Sequence, residues 1–413
     1  VLGLFDSEEQ KMRTNASNWL ELADKIYHYR RDELTEAERK ELQKRSEGLR
    51  GLLRDKADAS KLKLGIESLE EVLRRTGGTF YPKSTLQEYV EFLLVAAIVI
   101  IGLRTYFVQP FKIPTNSMWP TYYGMTPEAY PDPSKAPGPI GKAVRFILLG
   151  AQHYEIVPQN SGRVAVRVFM DVNGGAHVFY QKGRGRKWLV IPTDTKVFSI
   201  YVERREYKIS VPADFEFDEA FYKSIGWTEE QFNQAGQHAM RLTDFTRMLT
   251  LDREAVEGKP LISFDILTGD QLFVDRLSYH FFPPKVGDGF VFRTDGIERI
   301  GRDEYFIKRL VGLPGDTLEV RSPYLYRNGA PITGAKAFDW NQNKVPPYRG
   351  YSYMASLTEG EKTTVPIAGY FAMGDNSYNS DDSRVWGPVP KANVVGRPLF
   401  IYYPVTRRWG PAH

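Results

Sequence analysis

Tyr305-Phe306-Ile307-Lys308-Arg309-Leu310-Val311-Gly312-Leu313-Pro314-Gly315-Asp316 reads as a buried strand running into a Pro-Gly turn. Its apolar neighbours give Lys308 two options. The lysine either points to solvent, as an alternating strand allows, or holds its amine in an apolar setting. Only the second option lowers the amine's pKa enough for a general base. Similar runs rich in Val, Ile, Phe and Tyr, set off by Gly-Asp and Pro-Gly turns, recur at 271–277, 289–293, 317–320 and 369–373. The chain after Pro110 is therefore of β type.

Residues 92–103 carry no polar side chain. Extended to 86–108, the segment reaches the roughly 20 residues a membrane-spanning helix needs. Tyr89 and Tyr106 then fall near the two interfaces, and Glu91 and Arg104 snorkel to the headgroups. The competing reading is the core helix of a soluble protein. A cleavable leader is not expected so far into the chain. Arg74, Arg75 and Lys83 before the segment, against Arg104 and Lys112 after it, give a slight lean towards an inward N-terminus.

Residues 1–80 are charged, Leu-rich and helical in pattern. Thr35 and Glu38 form a capping box ahead of Leu42, Leu49, Leu52 and Leu53. Leu62, Ile66, Leu69, Val72 and Leu73 line a further helix that stops at Gly77-Gly78. This region is either a helical hairpin packed on itself or a partner-binding module. The opening Val1-Leu2-Gly3-Leu4-Phe5 is read as the tail of an upstream segment or a trimmed terminus.

Residues 125–267 are too long for a structureless loop and read as an inserted subdomain. Strands are expected at 164–170, 188–191, 196–203 and 207–211, and a helix-like piece at 218–247. The basic cluster 184–187 is read as a solvated turn.

The chain has 413 residues and no cysteine, which excludes disulfides, thiolate zinc sites and a cysteine nucleophile. A net charge of +4 does not indicate nucleic acid. The six histidines are scattered, so no metal site and no local Ser-His-Asp triad is expected.

Two further stretches complete a chemical set. Pro114-Thr115-Asn116-Ser117-Met118-Trp119-Pro120-Thr121 lies just past the apolar segment. Gly374-Asp375-Asn376-Ser377-Tyr378-Asn379-Ser380-Asp381-Asp382-Ser383-Arg384-Val385-Trp386-Gly387 follows the Lys308 strand. A serine hydroxyl is a weak nucleophile and needs a base within reach and an oxyanion stabiliser. With Lys308, these stretches resemble the three signature boxes of the type I signal peptidases, membrane-anchored Ser-Lys proteases. Gly269-Asp270, Val274, Arg276, Gly287-Asp288 and Val291-Phe292 resemble the family's remaining strand signature. The resemblance covers about 86–124 and 265–405; the insertion at 125–267 and the long N-terminal helical region depart from it.

The resemblance implies the following roles. Ser117 is the nucleophile and Lys308 the base. The Ser117 N–H and the Thr115 hydroxyl form the oxyanion hole. Ser380 orients the lysine, and Asp382 and Arg384 form a structural ion pair. Phe111, Ile113, Pro114, Met118, Phe306 and Ile307 line shallow substrate pockets, or are plain core. No cofactor and no metal is implied. The expected fold is a mostly β catalytic domain split into 109–124 and 268–405. To it are added a helical region at 1–80, a transmembrane helix at 86–108 and an inserted α+β subdomain at 125–267. The expected activity is cleavage of signal peptides from exported preproteins after Ala-x-Ala. The implied setting is the bacterial inner membrane, with the helical region cytoplasmic and the catalytic domain outside. Secretory preproteins, membrane lipid and the secretion machinery are the expected partners, and nucleic acid is not. Two other readings stay open: a repressor-type Ser-Lys autoprotease, and a non-catalytic membrane scaffold.

Overall fold

The computed structural model describes residues 8–81, 85–171, 174–187, 191–301 and 303–412. Val1–Phe5, Lys83 and all but Ile191 of the strand expected at 188–191 lie outside these. The chain forms two compact units, Val1–Ile100 and Ile101–His413.

In the first unit, α1 (Glu8–Arg30), α2 (Glu36–Arg54) and α3 (Ala59–Thr76) make a three-helix bundle rather than a hairpin. The Thr35–Glu38 capping box starts α2, and Leu42 and Leu49 meet Leu62, Ile66, Leu69 and Leu73 in the core. α1, which falls within the helical pattern of 1–80 but has no bounds of its own in the sequence, contributes Ala16, Leu20, Ala23 and Ile26. Two of these are alanines, which give little periodic signal.

The next helix, α4 (Thr85–Tyr106), is long and apolar enough to cross a membrane, and none of its apolar window is buried. It ends two residues before the expected 108. Val108 already pairs with Asp275 as the first residue of β1 (Val108–Lys112).

The inserted residues form β2 (Thr126–Ala129), α5 (Pro139–Leu149), β3 (Gln152–Ile156), β4 (Gly162–Met170), β5 (Ala176–Val178), β6 (Tyr180–Lys187), β7 (Ile191–Val202) and β8 (Arg205–Pro212). They continue with α6 (Phe217–Ser224), α7 (Glu229–His238), β9 (Met240–Arg241), β10 (Arg247–Ala255) and β11 (Ile262–Leu267). One sheet runs β6-β7-β4-β10-β9, with β5 on β4 and β8 on β7; a second runs β2-β11-β3. Alternate residues Val164, Val166 and Val168 of β4 and Phe198, Ile200 and Val202 of β7 point into one core with Phe215, Phe217, Phe221 and Phe264. The expected helix at 218–247 is instead two short helices, the two-residue strand β9 and the first residue of β10. Gly226 at φ +81° turns the chain, and Thr228 with Gln231 caps α7 anew. Residues Arg184–Lys187 are not a turn: they extend β6, with Arg184 opposite Asp194 and Lys187 opposite Ile191.

The insert leaves and re-enters side by side. Thr126 pairs with Leu267, and the Asp270 N–H donates to the Tyr123 carbonyl at 2.8 Å. Gly269 is needed at this neck, since a Cβ there would lie 1.8 Å from the Ile113 carbonyl oxygen.

Beyond the neck come β12 (Gln271–Asp275), β13 (Gly289–Arg293), β14 (Tyr305–Gly312), β15 (Thr317–Arg321), β16 (Tyr324–Arg327), β17 (Ala330–Pro331), β18 (Thr363–Thr364), β19 (Gly369–Met373), β20 (Val389–Pro390), β21 (Val394–Tyr403) and β22 (Gly410–Pro411). The main sheet runs β1-β12-β21-β13-β14-β19-β20, with β22 on β21, so β1 has an edge opposite its β12 partner. A smaller sheet, β17-β16-β15-β18, packs its apolar face with Val311 and Phe371.

Candidate active site

Lys308 lies in the half of β14 where five successive residues, through Gly312, are buried. Both faces of the strand are covered there, which excludes the solvent-facing option. Only 4% of Lys308 is exposed, and Nζ donates to Ser380 Oγ at 3.2 Å. Burial pushes the amine down to about 8, against the pull of the Asp382 and Asp381 carboxylates. A strand lysine in this state is a usable base near neutral pH.

Ser117 sits in the single helical turn Asn116–Met118, which packs against β14. The turn is held by its neighbours. Asn116 is buried; its Oδ1 accepts from Gly124 N at 2.9 Å and its Nδ2 donates to the Met125 carbonyl at 3.2 Å. From the other side, Asn376 N donates to the Ser117 carbonyl at 3.1 Å, and Asn376 Nδ2 to the Asn116 carbonyl at 3.2 Å.

One glycine joins the parts. A Cβ on Gly374 would lie 2.2 Å from Ser380 Oγ and 2.4 Å from the Ser117 carbonyl oxygen. Its N–H donates to Asp382 Oδ2 at 3.0 Å. Asp382 in turn grips Arg384 at 2.7 Å, both side chains wholly buried. The ion pair thus holds the glycine against which both serines rest. Gly374→Ala is expected to force Ser117 and Ser380 apart and lower kcat/KM at least about 100-fold, the scale of a 1 Å misplacement. Turnover together with circular dichroism checks this, since the secondary structure should persist.

A second buried cluster takes one residue from each box. Arg309 is bidentate to Asp375, Nε to Oδ1 at 2.7 Å and Nη2 to Oδ2 at 2.6 Å. Thr121 Oγ1 donates to Asp375 Oδ2 at 2.5 Å. Each of the three residues stands in its own box, and nothing in their spacing points to a joint role.

Of the remaining expected site residues, Thr115 is exposed just before the serine turn, and its hydroxyl makes no capping bond. Ile113 and Met118 are buried core. Phe111, Pro114, Phe306 and Ile307 are half-buried, and the Phe111 ring meets Tyr305 edge-on at 5.0 Å, linking β1 to β14. The insert also approaches this region, which no residue pattern in the sequence signals. Asn379, next to Ser380, donates to Glu216 of the insert at 3.0 Å. A cavity of about 680 Å³ lies between Lys112 and Pro114 on one side and Thr195, Ser210 and Tyr154 of the insert on the other. Among the described residues no group of acidic or histidine side chains could hold a metal.

Residues 260–403 match the family model described as signal peptidase, peptidase S26. The match includes Lys308 and the 374–387 box; Ser117 lies before it, across the insert. The chain is 39% identical over 145 residues to "Probable signal peptidase I-1" of Synechocystis sp., covering 34% of this chain and 66%, just under two thirds, of that protein. It is 30% identical over 158 residues to "Signal peptidase I" of Bacillus caldolyticus, covering 38% of this chain and 82% of the relative. A 309-residue alignment at 27% identity with "Probable thylakoidal processing peptidase 2, chloroplastic" of Arabidopsis thaliana covers 72% of this chain and 77% of that protein. The chain belongs to the signal peptidase family, peptidase S26.

Proposed function

We propose that the protein is a type I signal peptidase, a serine endopeptidase that removes signal peptides from exported preproteins at the membrane surface. The observation that carries the reading is the buried Lys308 amine, lowered to about 8 and held by Ser380 beside the strand-packed Ser117 turn. Neutral Lys308 takes the Ser117 Oγ proton as the oxygen attacks the scissile carbonyl. The Ser117 N–H and the Thr115 hydroxyl stabilise the oxyanion. The Lys308 ammonium then protonates the departing amine, and the mature protein leaves. Water, losing its proton to Lys308, attacks the acyl ester and releases the signal peptide.

The substrate adds as a strand along the edge of β1 opposite β12, where no described strand pairs with it. Phe111, Ile113, Pro114, Met118, Phe306 and Ile307 leave room only for small side chains at the first and third positions before the cut. α4 anchors the chain in the bacterial inner membrane, with the helical region inside and the catalytic domain outside. Membrane lipid surrounds α4, and the secretion machinery delivers substrate.

The test is a preprotein with an Ala-x-Ala site, incubated with detergent-solubilised wild type, Ser117→Ala and Lys308→Ala. Cleavage after the second alanine by wild type alone is expected. Cleavage by Lys308→Ala would exclude the lysine as base. Because the free base is the active form, kcat/KM is expected to rise tenfold per pH unit below about 8 and to level above it. A profile flat down to pH 5 would remove Lys308 from the chemistry.

A further inference from the structure

We propose that α5 lies in the membrane–water interface with its outward face among lipid acyl chains. This rests on the membrane attachment in the reading above and extends it to an element of the insert. α5 is inverted relative to a surface helix of a soluble protein. Ile140, Val144, Ile147 and Leu148 fall on one face, and they are 82%, 47%, 69% and 44% exposed. The cationic residues Lys142 and Arg145 lie on the more covered side. Arg145 Nε donates to Asp265 Oδ2 at 2.8 Å and its Nη2 to Glu128 Oε2 at 2.6 Å, with the Asp265 side chain only 2% exposed. Turning the helix over would strand Asp265 without its guanidinium, so the ion pair fixes the apolar stripe outward. Stripes of this kind mark interaction surfaces, and helices of this pattern lie in bilayer interfaces.

The occupant follows from where α5 is fastened. Tyr403 Oη donates to the Phe146 and Ile147 carbonyls at 3.1 Å, and Val405 N to the Leu148 carbonyl at 3.0 Å. Tyr403 is opposite Gln271, which is opposite Lys112, the last residue of β1. Only Phe107 separates β1 from the apolar helix α4. A five-residue strand and two interstrand steps span roughly 20 Å, so α5 is tied close to the point where the chain leaves the bilayer. Along these same strands and just past them, Val108, Phe273, Leu399, Val405 and Trp409 are exposed, so apolar side chains, a tryptophan of the interfacial type among them, recur on the strands that lead from Phe107 to α5.

The absence of cysteine makes the test direct. Ile147→Cys, and separately Val144→Cys, is made in the full-length Ser117→Ala chain, labelled with an environment-sensitive nitrobenzoxadiazole dye and reconstituted into phosphatidylcholine–phosphatidylglycerol vesicles. Thr333→Cys, on an exposed loop, is the aqueous control. The α5 labels are expected to emit to the blue of the control, to resist iodide at least about threefold better, and to be quenched by shallow doxyl-labelled lipids. Equal iodide quenching at Ile147, Val144 and Thr333 would overturn the proposal. So would protection without doxyl quenching that is lost when labelled chains are diluted with unlabelled ones, because the face would then bind a second copy. No turnover is read, so failure of the peptidase assay and failure of this proposal are separate results.

Discussion

Lys308→Met is expected to abolish turnover and, at pH 7, to stabilise the fold. The loss in kcat/KM should be roughly 10⁴-fold or more, as for removal of a base from a nucleophile–base pair. The stability gain follows from linkage. Burial lowers the amine from 10.5 in the free side chain to about 8, a difference worth roughly 3 kcal/mol. Below pH 8 the lysine is charged in both folded and unfolded chains, and the folded state bears the whole penalty. Between pH 8 and 10.5 the folded lysine is neutral while the unfolded one is still charged, so the penalty shrinks; above 10.5 it is gone. Lys308→Met should therefore raise stability by up to about 3 kcal/mol at pH 7, less the lost Ser380 hydrogen bond, with the advantage fading by pH 10.5. Urea titrations at pH 7 and pH 10.5 measure both ends. A variant less stable than wild type at pH 7 would show that the buried amine is well solvated by the protein.

The second large effect is structural. Asp382→Ala would leave Arg384, wholly buried, without its counter-ion. Neutral partners remain: the carbonyl oxygens of Ser352 and Ser377, each at 2.8 Å, and Ser377 Oγ at 2.9 Å. They do not neutralise the charge. Breaking such a pair on one side costs about 3–5 kcal/mol, a large part of a typical domain's stability. The same substitution frees the Gly374 N–H, so activity should fall as well. The double variant Asp382→Leu/Arg384→Met should recover much of the stability, since apolar replacement of a buried pair is often neutral or better. It should not recover turnover, because neither side chain can hold Gly374. Recovery of both would mean that the pair does not position the serines.

The sequence disclosed the candidate site residues more readily than what holds them. Ser117, Lys308, Ser380, Asp382 and Arg384 stand in short stretches whose residue types and spacing are distinctive. The Arg309–Asp375–Thr121 cluster was hidden because its members are far apart in the chain, and only the strand register brings them together. Strands β4, β7 and β8 were visible from apolar alternation. The Arg184–Lys187 end of β6 was not, because Gly-Arg-Gly-Arg-Lys carries no apolar signal and its extension comes from pairing with β7. The misread helix at 218–247 shows the reverse error. Its charged and amphipathic residues suited a helix, yet the turn at Gly226 and the pairing of Arg247–Ala255 with β4 decided the outcome. Glu216 beside Asn379 had no sequence signal at all, since exposed glutamates are common.

The neck where Tyr123 meets Asp270 has a consequence for how the protein assembles. β1 and β12 are neighbours in the finished sheet, but the whole insert separates them in the chain. Were those residues still unfolded, joining the two strands would carry the closure entropy of a very long loop. Once the insert has its own core, with Thr126 and Leu267 already paired, the same join resembles the closing of a hairpin. The order of events is thereby biased. The nested module should become protected from hydrogen exchange first, and the β1–β12 ladder, with the Ser117 turn that depends on it, should be among the last parts to form.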